Sequence, residues 1–88
     1  MNDESWEVYM IKTSDGKLYT GITKDMMRRF TEHASKQKGA KFFHFASPEK
    51  IVYRQSFESR GEATKREIAI KKLTRLQKLN LIQPENLN

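Results

Sequence analysis

Three side chains able to handle a phosphate ester fall close together in the run Tyr19-Thr20-Gly21-Ile22-Thr23-Lys24-Asp25-Met26-Met27-Arg28-Arg29-Phe30-Thr31-Glu32-His33. A phenol can orient or deprotonate water. A guanidinium fork matches the oxygens of a phosphate, and an imidazole carries protons near neutral pH. These groups cooperate only if the backbone gathers them. The run reads as a strand carrying Tyr19, a turn at Gly21, and a helix with Arg29 and His33 four residues apart, neighbours on one helical flank. Nothing else in the chain offers a comparable cluster.

The elements around this run set where its side chains point. Residues 6–13 and 17–22 are rich in Val, Tyr, Ile and Thr and flank Ser14-Asp15-Gly16, a strong hairpin signal. A two-residue turn would pair Tyr9 with Ile22 and put Tyr9 and Tyr19 on opposite faces. A three-residue loop with Gly16 in the left-handed region pairs Tyr9 with Gly21 and Ile11 with Tyr19, which puts both phenols on one face. Shared chemistry requires the second register. Thr23 or Asp25 can cap a helix over residues 25–36. On its wheel Met26, Met27, Phe30 and Ala34 form the apolar stripe, Arg29 and His33 flank it, and Arg28 points to solvent. The bland alternative for Arg29 is a surface ion pair with Glu32 or Glu58.

Downstream, 51–57 reads as a third strand. Two capping boxes, Ser59…Glu62 and Thr74…Gln77, open two helices, and Pro84 stops the second. The expectation is a single α/β domain over 1–88, a ββαβαα sandwich around a small, mostly antiparallel three-stranded sheet. Ala63, Ala69, Ile70 and Leu73 form the apolar face of the first of these helices, and Ile68 is expected to pack under the last helix. Glu67 lies at the border of that stripe. A half-buried carboxylate needs a cation: Arg66 or Lys71 in the structural reading, a metal in the functional one.

Composition narrows the classes. The 88 residues hold no cysteine, which excludes disulfides, thiolate zinc sites and cysteine nucleophiles. No apolar run is long enough to span a membrane and the first residues lack a signal-peptide pattern, so the expectation is a cytoplasmic protein without a membrane partner. The net charge is +6, and Arg60, Lys65, Arg66, Lys71, Lys72, Arg75 and Lys78 cluster late in the chain, a face that attracts polyanions or is simply solvated. The segment from Lys36 to Phe45 interleaves Lys36, Lys38 and Lys41 with Phe42, Phe43 and Phe45, a composition that can hold phosphates and stack bases or supply core. His44 in the same segment is a weak candidate. Lys36, Lys38, Lys41, Lys71, Lys72 and Arg75 are the candidate nucleic-acid contacts.

Taken together, Glu7-Val8-Tyr9, Tyr19-Thr20-Gly21, Arg29, His33 and Glu67 four residues after Ala63 resemble the GIY-YIG nuclease domain, over residues 6–80, with 81–88 as a polar tail. The likeness is to the small stand-alone bacterial members. It implies metal-dependent hydrolysis of a DNA phosphodiester, with branched or damaged DNA among the substrates and no small-molecule cofactor. Glu67 would hold one Mg²⁺ or Mn²⁺, weakly in the absence of DNA, because a single carboxylate suits an ion that keeps most of its waters. Arg29 would stabilise charge on the scissile phosphate, Tyr9 or Tyr19 would orient or deprotonate water, and His33 would carry a proton or touch phosphate. Two other classes compete: a nucleic-acid-binding module using the same basic groove without turnover, and a domain whose basic helices meet an acidic protein.

Overall fold

The computed structural model describes residues 5–35 and 47–82. Its elements run β1 (Trp6–Thr13), β2 (Leu18–Thr23), α1 (Met26–Ser35), β3 (Pro48–Phe57), α2 (Arg60–Lys71) and α3 (Arg75–Leu81). The three strands form one antiparallel sheet in the order β2-β1-β3. The ββαβαα order and the antiparallel sheet match the expectation. Lys36, Lys38, Lys41, Phe42, Phe43, His44, Phe45 and Pro84 lie outside the described residues.

The hairpin has the register that shared chemistry requires. Tyr9 pairs with Gly21 and Ile11 with Tyr19. Gly16 sits at φ 87°, and its N–H donates to the Thr13 carbonyl at 3.0 Å while Thr13 N–H donates to Lys17 at 2.9 Å. That closes a three-residue loop whose third position needs a left-handed backbone, which glycine adopts without cost to a Cβ.

Alternation along β1 splits the core in two. Val8 and Met10 are buried with Val52, Ala63, Ile70 and Ile82 on the face covered by α2 and α3. Tyr9 and Ile11 are buried with Met26 on the opposite face, against Tyr19, Phe30 and Ile51. The central strand is therefore apolar on both faces, as a strand between two helical layers must be.

Several expectations need correction. β3 begins at Pro48 rather than Ile51; Pro is tolerated as the first residue of a strand, and Lys12 Nζ reaches Glu49 at 2.8 Å across the pair. Register shifts in the β1–β3 ladder explain why β3 shows no clean alternation. In α1, Met27 is 74% exposed and Ala34 is exposed, while His33 is fully buried. The inward row is Met26, Phe30 and His33, at i, i+4 and i+7. In α2, Ala63 and Ile70 are buried as expected, but Ala69 is exposed and Ile68 is 49% exposed instead of packing under α3. Ile82, expected in the polar tail, is buried in the core.

Both downstream caps form, unequally. Thr74 and Gln77 complete a reciprocal capping box. Ser59 accepts from the Glu62 N–H at 3.2 Å, without the return bond from the Glu62 carboxylate. Among the described residues no helix is long and apolar enough to cross a membrane.

Candidate active site

Tyr9, Tyr19, Arg29 and His33 meet on the α1 face of the sheet. The hairpin register supplies the two phenols, whose ring centroids lie 6.2 Å apart. His33 enters from the last turn of α1, its ring 5.3 Å from that of Tyr19 and nearly edge-on at 68°. Tyr9 Oη and His33 Nε2 are 2.9 Å apart in a buried hydrogen bond. Burial of an imidazole here is stabilising because the surface beneath α1 ends in a phenol oxygen that needs a polar partner.

The electrostatics set the charge state of this pair. Burial first, then Tyr19 and, least, the charge of Glu67 push the Tyr9 phenol up to about 12; Arg29 pulls the other way, as hydrogen-bond donor and as charge. Burial first and the Arg29 charge second lower His33 to about 4, with Glu32 opposing. Near neutral pH both rings are therefore uncharged. Arg29 can only donate, and the Tyr9 oxygen accepts from it while sharing a hydrogen bond with His33 Nε2. A guanidinium, a phenol and an imidazole are thus joined in one chain, from Arg29 through Tyr9 to His33.

Arg29 stands at the mouth of this cluster, its side chain 30% exposed, with Nη1 3.0 Å from Glu32 Oε1. Glu32 also meets Arg28, whose side chain is 75% exposed and outside the cluster as expected. The surface pairing foreseen for Arg29 is present, and it coexists with the contact to Tyr9.

Gly21, expected as a turn, instead lies within β2 opposite Tyr9 and is part of the site. A Cβ built on it would lie 2.6 Å from Tyr9 Oη and 2.8 Å from Cζ, with Tyr19 Cε2 at 3.1 Å. Tyr9 is 1% exposed and cannot swing away. Gly21→Ala is expected to cost about 1–3 kcal/mol by overpacking and to break the Tyr9–His33 bond. Thermal denaturation checks the first effect, and the His33 ring resonances in NMR check the second.

Glu67 arrives from α2, in the layer across the sheet from α1. Its side chain is 18% exposed and Oε2 lies 3.1 Å from Lys71 Nζ. Oε1 has no hydrogen-bond partner among the described residues. The carboxylate remains close enough to Tyr9 for its charge to raise that phenol. Glu62 is exposed on the first turn of α2, away from the cluster. Among the described residues no three His, Cys, Asp or Glu side chains gather around one point. The donor set fits a hard ion that takes one carboxylate oxygen and keeps its waters, and does not fit a full protein cage.

The candidate nucleic-acid contacts on α2 and α3 are exposed and differently engaged. Lys71 is bound to Glu67. Arg75 Nη2 donates to the Gly16 carbonyl at 2.8 Å, tying α3 to the hairpin loop. Lys72 follows α2 as its C-terminal cap residue.

With this geometry in view, the chain belongs to the GIY-YIG family: the GIY-YIG catalytic domain matches residues 5–80. Within it, the chain is similar to the small UPF0213 proteins. A UPF0213 protein of Desulfotalea psychrophila is 46% identical over 79 residues, covering 90% of this chain and 72% of that one. One from Staphylococcus epidermidis is 45% identical over 76 residues, covering 86% and 92%. The solution NMR structure of a UPF0213 protein from Bacillus halodurans superposes with a TM-score of 0.56 at 39% identity, covering 88% of this chain and 81% of that one.

Proposed function

We propose that this protein is a divalent-metal-dependent endonuclease that hydrolyses DNA phosphodiester bonds at the Tyr9–Tyr19–Arg29 face. The observation that carries the reading is the Arg29–Tyr9–His33 chain, built into the face of a GIY-YIG hairpin. A structural core has no need of a guanidinium pointed at two phenols.

Arg29 binds the scissile phosphate through its planar fork and stabilises the charge that builds in the transition state, exchanging part of its contact with Glu32 for phosphate oxygens. Tyr19 is half-buried and is the phenol that water reaches more readily; Tyr9 is sealed, with a neutral His33 hydrogen-bonded behind it to hold its orientation. For Tyr9 itself to act as base, its pKa must fall from about 12, and Arg29 already pulls in that direction. Glu67 Oε1 is the oxygen that would hold Mg²⁺ or Mn²⁺, with Lys71 yielding part of its ion pair. A bound divalent ion supplies a more acidic water and neutralises phosphate charge.

One observation favours the non-catalytic alternative, a nucleic-acid-binding module: the Lys71 pair already neutralises the single carboxylate. The experiment that separates the two readings is incubation of labelled single-stranded, duplex, flapped and branched DNAs with Mg²⁺, Mn²⁺ or chelator. Metal-dependent cleavage of at least one form is expected. Binding without cleavage on every form establishes the module instead.

A further inference from the structure

A second cationic site lies at the other end of β1 from the hairpin loop. Trp6 opens β1, Lys24 follows the end of β2, and Arg60 begins α2. These three elements converge on one indole: Lys24 Nζ lies 5.8 Å and Arg60 Cζ 5.6 Å from the ring centroid. Trp6 packs against the Val8–Met10 core and is anchored by it. Both cationic residues are exposed, and neither pairs with a carboxylate among the described residues. Elsewhere the cations Lys12, Arg54 and Lys71 each hold a glutamate.

Two like charges gathered on one ring repel each other, and cation–π attraction at an exposed site supplies only about 0.5–1 kcal/mol for each. An anion within reach of both offsets the repulsion. We propose that Lys24 and Arg60, aimed by Trp6, clamp a backbone phosphate of the nucleic acid whose scissile bond lies at Arg29. This rests on the nuclease reading and adds a second contact to the backbone. Trp6 lies three residues from Tyr9 along β1, about 10 Å at the rise of a strand, and packs on the sheet face opposite Tyr9. The clamp therefore holds the nucleic acid at the start of β1, apart from the bond to be broken. It fixes position and does not read sequence.

Trp6 is the single tryptophan of the chain, so its emission reports on this site alone. Labelled duplex is titrated into the full-length protein in chelator at several salt concentrations, with anisotropy and tryptophan emission read together. Emission is expected to change in step with binding. Affinity is expected to fall by orders of magnitude between about 50 and 200 mM salt. K24A/R60A is expected to lower the salt slope by about two and to weaken binding at low salt at least tenfold. K24R/R60K is expected to restore both, which separates a phosphate contact from a packing defect. Binding with silent tryptophan emission, or an unchanged slope in K24A/R60A, overturns the clamp and leaves the nuclease reading standing. Inorganic phosphate changing the emission where DNA does not also overturns it. Absence of any DNA binding by the wild-type protein overturns both.

Discussion

Arg29→Ala is expected to slow DNA cleavage by about two to three orders of magnitude, the usual effect of removing one group that stabilises transition-state charge. The same substitution is expected to change binding little, reducing the salt slope by about one phosphate contact. The asymmetry follows from position: Arg29 donates to Tyr9 and lies at the mouth of the buried cluster, whereas the exposed bases elsewhere lie apart from it and are proposed only as backbone contacts. Arg29→Lys keeps the charge but loses the fork that can serve a phenol oxygen and a phosphate together, and most of the activity should stay lost. Glu32→Gln removes the competing carboxylate 3.0 Å from Arg29 and should leave cleavage intact or raise it. Single-turnover rates beside anisotropy titrations give both quantities. Equal losses of binding and cleavage in Arg29→Ala would reduce Arg29 to one more phosphate contact.

The second large effect is acid sensitivity set by His33. Its pKa falls from 6.5 to about 4 on folding, chiefly through burial. Between these values the unfolded chain takes up a proton that the folded ring refuses. Stability is therefore full above about pH 6.5, falls as pH drops through the window, and stops falling on this account below about 4. The total loss is about 3 kcal/mol. Asp15, whose carboxyl is held low chiefly by a hydrogen bond from Thr13, adds its loss only in the carboxylate range below that window. His33→Gln should flatten the slope between pH 4 and 6.5 and lower stability at neutral pH, because Tyr9 loses its buried hydrogen-bond partner. Denaturant unfolding at half-unit pH steps measures both. A wild-type slope that persists unchanged in His33→Gln would contradict the assignment of the neutral ring.

The hairpin could be read from residues because its two registers have opposite chemical consequences: Gly16 suits the left-handed position of either turn, but only one puts both phenols on one face. The caps at Ser59 and Thr74 were legible for a similar reason, since a hydroxyl before a helix has few other uses. The facing of α1 was not. A wheel ranks positions by apolarity and so turns Met27 and Ala34 inward, but the surface that α1 covers carries two phenols, and the residue they need is an imidazole. His33 goes in, and Met27 goes out to 74% exposure. Gly21 reads as a turn by residue type alone, whereas its missing side chain is the space occupied by Tyr9 across the hairpin. Proximity across the fold was also invisible: the meeting of Trp6, Lys24 and Arg60 depends on three separate elements converging. Glu67 was legible as a half-buried carboxylate, whereas its ion pair with Lys71 and its arrival from the opposite layer depend on how α2 crosses the sheet.

The most direct measurement compares wild-type protein with Glu67→Ala on the same labelled DNA, with cleavage followed in Mg²⁺ or Mn²⁺ and binding followed in chelator. The proposed chemistry predicts metal-dependent cleavage by the wild-type protein. For Glu67→Ala it predicts loss of that cleavage, with affinity unchanged or slightly raised because a negative charge facing phosphate is gone. Cleavage that survives Glu67→Ala, or that proceeds equally in chelator, would contradict it.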